Sequence, residues 1–224
     1  MQSPHGPLRT YGRIKSRPIK PRQEALLESL LPRIAVPEGP IDPAALMPEA
    51  RAAWLEIGFG GGEHMAGQAA LHPEVLILGA EPFLNGVASA LRHIDEQALT
   101  NVRLLQGDAR DLVSRLSAAC LERVFILFPD PWPKARHHKR RIIQTEFLGD
   151  LMRVMKPGGI LRYGTDWADY ADWTLERLTA SPDFQRRLYS QDDPTGPPEG
   201  HLTTRYETKK LGDCAPVFFE FVRV

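Results

Sequence analysis

From residue 52 onward, short apolar runs alternate with amphipathic segments, and this alternation leaves the chain few ways to fold. Ala52–Ile57 reads as a strand, followed by a glycine loop and a helix over Glu63–Leu71. Val75–Ala80 then precedes a helical Leu84–Leu99, and Val102–Gln106 precedes a helical Asp111–Leu121. Arg123–Phe128 is a fourth strand, closed by Pro129, Pro131 and Pro133. A helix over Ile142–Met155 ends in Lys156-Pro157-Gly158-Gly159, a stop signal with a cation in its last turn. Ile160–Gly164, a helix over Trp167–Leu178, and strands at Phe184–Tyr189 and Val217–Val222 complete the series, around a loop at Gln191–Gly200. Alternation at this spacing means an α/β fold, a parallel sheet with helices on both faces. Ligands of such sheets sit beyond the carboxyl ends of the strands, which is where chemistry is expected.

Upstream, Glu24–Leu31 has helical spacing and Pro32–Pro48 is a Pro-rich connector. The chain thus divides into a basic arm with connector over residues 1–50 and one catalytic-sized domain over 51–224. At 224 residues it can bury a core without a disulfide or metal staple. No apolar run approaches the roughly 20 residues that span a bilayer. Cys120 and Cys214 are too far apart to form a paired-ligand metal site. Unpaired cysteines and the lack of an apolar targeting core imply a cytoplasmic protein.

The formal net charge is +0, but the charges are segregated. Residues 1–23 carry Arg9, Arg13, Lys15, Arg17, Lys20 and Arg22 and no acid. Residues 134–141 hold Lys134, Arg136, His137, His138, Lys139, Arg140 and Arg141, again without an acid. Setting these two segments aside leaves an acidic body. A solvated surface run, a nuclear-import signal or a phosphoprotein dock would each explain one such block. Two blocks on an acidic chain favour a polyanion partner, and nucleic acid is the natural one. Pro4, Pro7, Pro18 and Pro21 break the amphipathic helix that a transit peptide would need. Adjacent histidines in a cation run, without a set of acids or cysteines, read as RNA-facing and not as metal ligands.

The first strand runs into Leu55-Glu56-Ile57-Gly58-Phe59-Gly60-Gly61-Gly62-Glu63. Glycines here allow a tight turn and a ligand close to the main chain, with Gly58 and Gly60 as the contact positions. A dinucleotide fingerprint would place a third glycine where Glu63 stands. Pyrophosphate favours a helix N-terminus free of negative charge, and here Glu56 and Glu63 bracket it. A cationic ligand without phosphate suits the loop, and S-adenosylmethionine is such a ligand. The second strand ends at Glu81, placed to accept ribose hydroxyls, and the third at Asp108, placed near the adenine. Each acid alone reads as a solvated turn residue; three at successive strand ends read as a cofactor site.

The fourth strand opens into Phe128-Pro129-Asp130-Pro131-Trp132-Pro133-Lys134. Alternate prolines stiffen this loop and present Asp130 and Trp132. Continuing into Arg136-His137-His138-Lys139-Arg140-Arg141, it resembles the tRNA (guanine-N7)-methyltransferases of bacteria. Leu55–Gly60, Gly164-Thr165-Asp166-Trp167, Thr204-Arg205-Tyr206-Glu207 and the basic Arg13–Gln23 arm carry the same resemblance, over about residues 11–223. Ala135 stands where the family often has another cation.

The resemblance implies a Rossmann-like S-adenosylmethionine-dependent methyltransferase fold, mostly parallel with an antiparallel last strand. It implies methyl transfer to N7 of the variable-loop guanine at position 46 of tRNA. Glu56, Glu81, Asp108 and Asp130 would line the cofactor site; Lys134, Asp166, Thr204, Arg205, Tyr206 and Glu207 would meet the target nucleotide. Arg136, His137, His138, Lys139, Arg140 and Arg141 are expected to contact RNA. Asp130 is the expected catalytic residue, stabilising charge that develops on the purine. Asp166 or Glu207 could read guanine N1 and N2, and Tyr206 or Trp132 could stack on the base. No helper subunit is implied. Methylation of another RNA or a protein, or a non-catalytic RNA binder on this scaffold, are the competing readings.

Overall fold

The computed structural model describes residues 18–190 and 193–224. The arm's Arg9, Arg13, Lys15 and Arg17 lie outside the described residues. Seven strands, β1 (Ala52–Ile57), β2 (Val75–Ala80), β3 (Val102–Leu105), β4 (Leu121–Leu127), β5 (Met155–Thr165), β6 (Phe184–Arg187) and β7 (Val217–Arg223), join in one sheet. Their order is β3-β2-β1-β4-β5-β7-β6. β1 through β5 pair in parallel, and β7 runs antiparallel to both β5 and β6. The expected α/β fold with an antiparallel last strand is therefore present.

Strand alternation sorts the side chains of β1 between two cores. Ala53, Leu55 and Ile57 join one, with Leu112, Leu148, Leu151 and Tyr170 from α6 (Ala109–Arg115), α7 (Thr145–Val154) and α8 (Ala168–Ala180). Trp54 joins the other, with Met65, Val87 and Leu26 from α4 (Glu63–Leu71), α5 (Leu84–Glu96) and α1 (Pro21–Ser29). β2 is buried along its whole length, as a central parallel strand must be.

The Pro-rich connector holds two short helices, α2 (Leu31–Ile34) and α3 (Pro43–Leu46). It also bridges Ala35 to Leu104 at the sheet edge and Ile41 to Leu116. Arg22 on α1 pairs with Asp95 and Glu96 at the end of α5, each at 3.2 Å. The root of the basic arm is thus fixed to the domain by contacts, although those ion pairs are exposed.

Several element boundaries differ from the sequence reading, three of them for a visible reason. α5 stops at Glu96 because Ala98 turns left-handed, at φ 50°. α6 stops at Arg115, well short of Leu121, because Arg153 takes over its last carbonyls. The two terminal guanidinium nitrogens donate to Leu116 O at 2.7 Å and Val113 O at 2.6 Å. β5 begins at Met155, which pairs with Leu121, so Lys156-Pro157-Gly158-Gly159 forms an irregularity within the strand. Gly158 takes φ 79° there. A further helix, α9 (Arg205–Lys209), was not expected.

Candidate active site

The strand order reverses between β1 and β4, and a cavity of about 850 Å³ opens beyond their carboxyl ends. Gly58, Gly60, Glu81, Asp108, Asp130 and Tyr206 all line it. Gly58 and Gly60 hold φ values of 70° and 52°, where a side chain would be strained. Gly86, near the start of α5, lets that helix approach the loop: a Cβ there would stand 2.4 Å from Gly60 O.

Glu81 is almost fully buried, and its two oxygens accept hydrogen bonds from Gly60 N at 2.8 Å and Phe83 N at 2.9 Å. It makes no salt bridge among the described residues; burial outweighs those two bonds, and Asp130 and Glu56 add repulsion. Its pKa is raised to about 7. Asp108 caps α6 and is clamped by Arg110, whose Nε and Nη2 donate to the carboxylate at 2.9 and 2.6 Å. Arg110 lines the cavity and was missed from sequence; its place two residues past a helix N-cap was the available signal.

Glu56 is placed differently from the other three acids. It does not line the cavity but lies buried beneath the loop, with Oε2 2.6 Å from His64 Nδ1. The cause is strand alternation: Glu56 shares the face of Trp54, which points toward α4.

The proline loop carries strain at both ends of its central acid. Phe128 and Trp132, neither a glycine, adopt φ 51° and 46° and flank Asp130. Asp130 is exposed at the rim, and the crowding around it raises its pKa by desolvation, tempered by solvent on its open side. The Arg140 guanidinium lies 4.9 Å from the centre of the Trp132 ring, and His137 meets that ring edge-on at 6.0 Å.

The cation run forms a 3₁₀ helix over Ala135–Arg140 and does not behave uniformly. Lys134, Arg136 and Lys139 are exposed, and Lys139, Arg140 and Arg141 line the cavity. Two residues of the run are packed differently from the rest. Arg141 is buried, with its guanidinium bonded to Pro131 O and Asp169. His138 turns inward, meeting the Trp173 ring edge-on at 5.2 Å and lying 3.5 Å from Asp169. The aromatic face of α8 buries Arg141 and covers His138 in part.

Of the expected substrate residues, only Tyr206 reaches the cavity wall. Thr204 and Glu207 are spent on the reciprocal cap of α9: Thr204 Oγ1 accepts from Glu207 N, and Glu207 Oε2 accepts from Thr204 N. Glu207 Oε2 also lies 2.8 Å from His201 Nε2. Asp166 accepts from Gly212 N at 2.8 Å and is buried. Arg205 is exposed on α9. The cap places Tyr206 beside the glycine loop. Glu146 and Asp150, one turn apart on α7, also line the cavity and were missed, because nothing in the local sequence separates them from a solvated face.

S-adenosylmethionine fits this donor set. A buried carboxylate at one strand end, side-chain-free backbone at the glycine loop, and acids where a phosphate would need cations suit a cationic nucleoside.

Known proteins agree with this architecture. A family model described as "Putative methyltransferase" matches residues 50–218. A tRNA (guanine-N(7)-)-methyltransferase of Caulobacter vibrioides (strain NA1000 / CB15N) is 67% identical over 99% of this chain and 98% of its own length. One from Hyphomonas neptunium is 51% identical over 96% of this chain and 99% of its own. Among solved structures, a mutant 16S rRNA (adenine(1408)-N(1))-methyltransferase with cosubstrate SAM from Catenulisporales acidiphilia superposes with a TM-score of 0.56. It shares 18% identity and covers 82% of this chain and 92% of its own, a likeness of fold. The glycine loop, the acids at the strand ends and the proline-bounded Asp130 thus sit in a chain that belongs to the tRNA (guanine-N(7)-)-methyltransferase family.

Proposed function

We infer that the protein transfers the methyl group of S-adenosylmethionine to N7 of a guanine in tRNA, and that this guanine is position 46 of the variable loop. One observation carries the reading: a single cavity has acids at its strand-end wall and the cations Lys139 and Arg140 at its rim, joined by the loop that holds Asp130. A cationic cofactor and a polyanionic substrate find complementary walls a few residues apart.

Bound adenosylmethionine supplies a methyl group on cationic sulfur, which leaves as that bond breaks with its electron pair kept by sulfur. Guanine N7 carries a lone pair and no hydrogen, so attack needs no base. The chain's work is alignment and charge. Gly58 and Gly60 would let the cofactor approach the backbone, Glu81 would accept its ribose hydroxyls, and Asp108 would hold its adenine end. Asp130 faces the positive charge that develops on the purine and stabilises it as a fixed anion. Tyr206, already beside Gly60, offers a stacking face at the rim. Lys134, Arg136 and Lys139 hold phosphates, so binding weakens steeply with salt. Presenting a base from structured RNA costs a few kcal/mol of unstacking.

The test is nucleoside mass spectrometry of unmodified tRNA transcript incubated with the protein and methyl-labelled adenosylmethionine. Label in 7-methylguanosine at one variable-loop position is expected. Label in another nucleoside, or none with cofactor bound, defeats the assignment.

A further inference from the structure

Within the run of cations, Arg141 is the one whose side chain is nearly inaccessible, at 2% exposure, so it cannot meet a phosphate without unpacking. Its Nε donates to Pro131 O at 2.9 Å, on the residue directly after Asp130. Its Nη2 pairs with Asp169 on α8, and the guanidinium carbon lies 4.7 Å from the Tyr170 ring centre and 5.0 Å from that of Trp173. The adjoining backbone is fixed to the same helix. Tyr170 Oη accepts from Ile142 N at 3.1 Å, and Trp173 Nε1 donates to Ile143 O at 2.8 Å.

Asp169 is exposed, and the bond from Arg141 holds its carboxyl below the usual range. Arg141 Nη1 is buried with no acceptor among the described residues. An unsatisfied buried donor is destabilising, so packing alone does not account for an arginine here. What its planar fork achieves is a span. It reaches the strained loop at Pro131 with one nitrogen and α8 with another, which a lysine ammonium cannot do.

We propose that Arg141 is a positioning residue that holds the Asp130 loop at catalytic register by tying Pro131 to α8, and is not an RNA contact. The inference rests on the methyl-transfer reading of this cavity. A displacement of the loop by about 1 Å acts on turnover, because alignment of the reacting atoms is what the site provides. It leaves the number of phosphates neutralised unchanged.

The experiment compares Arg141→Lys, Asp169→Asn and Arg136→Gln with the wild-type enzyme on tRNA transcript. It reads kcat, KM, and the slope of log(kcat/KM) against log salt concentration. Arg141→Lys is expected to lower kcat about tenfold or more with the wild-type salt slope. Arg136→Gln is expected to reduce the slope by about 0.7–0.9, the value of one phosphate contact. Asp169→Asn, at an exposed position, is expected to lower kcat by a smaller factor with the slope unchanged. Lysine keeps the charge that a phosphate contact needs and loses only the fork, so wild-type kcat in Arg141→Lys overturns the proposal. Should Arg141→Lys not fold, Asp169→Asn decides on the same outcomes. Should wild-type protein label no guanine, the functional reading fails and amide exchange at Asp130 and Trp132 decides. Faster exchange in Arg141→Lys upholds the tether, and unchanged exchange removes it.

Discussion

Glu81 Oε2 accepts a 2.8 Å hydrogen bond from Gly60 N, so the acid at the end of β2 holds the turn of the glycine loop after β1. Burial pushes its pKa up to about 7, so this carboxylate titrates near neutral pH. Its folded-state pKa lies above the reference of 4.5, so the folded chain binds the extra proton between these values. Stability from this group is therefore full at low pH and is lost as pH rises from about 4.5 through about 7. Cofactor affinity has the opposite slope, because a cationic ligand with ribose hydroxyls prefers the anion. Titration calorimetry with adenosylmethionine from pH 6 to 8 should show tightening with pH, and Glu81→Gln should flatten that dependence and weaken binding about tenfold or more. A pH-independent affinity in the wild-type protein would refute the assignment.

Asp130→Asn keeps the shape of the proline loop and removes its charge. Turnover at saturating tRNA and cofactor should fall by about 10²-fold, as for loss of a fixed electrostatic group. The melting temperature should barely move, since the side chain is exposed. Wild-type turnover in this variant would remove Asp130 from the mechanism.

Gly86→Ala drives a methyl group to within 2.4 Å of Gly60 O, and that contact is backbone, which cannot rotate away. The glycine loop or α5 must shift. Isothermal titration should show at least about tenfold weaker cofactor binding, accompanied by about 1–3 kcal/mol lost in urea denaturation. Unaltered affinity would mean that the loop has room to relax.

The buried pair between Arg162 and Glu220 joins β5 to β7 through a 2.9 Å hydrogen bond from Nε, with both side chains nearly inaccessible. Removing one partner leaves a buried charge. Glu220→Gln should cost about 3–5 kcal/mol in denaturant unfolding, while the double change Arg162→Met with Glu220→Leu should recover much of it. Equal losses in the single and double variants would contradict this account.

The sheet was legible because hydrophobic alternation reports burial directly, and β1 and β2 match the runs that announced them. Boundaries were not, where a distant side chain decides. Nothing around Leu116 says that Arg153, far along the chain, will take the last carbonyls of α6. The site divided in the same way. Glu81, Asp108 and Asp130 could be placed because they follow strand ends, whereas Glu56 lies inside a strand and obeys its alternation. Arg141 was unreadable within a uniform charge run, since its burial depends on Tyr170 and Trp173 from α8. The helix α9 lacks an apolar stripe, but Thr204 and Glu207 at capping spacing were a signal that went unused.

The left-handed backbone at Phe128 and Trp132 has a consequence for how this protein can change. Each costs on the order of 1–3 kcal/mol, which glycine at either position would relieve. Glycine would also discard the Phe128 ring, which meets Phe218 edge-on, and the Trp132 ring, on which Arg140 and His137 pack. The aromatic contacts that hold the strained backbone are thus the ones that aim Asp130, and neither can be altered without the other.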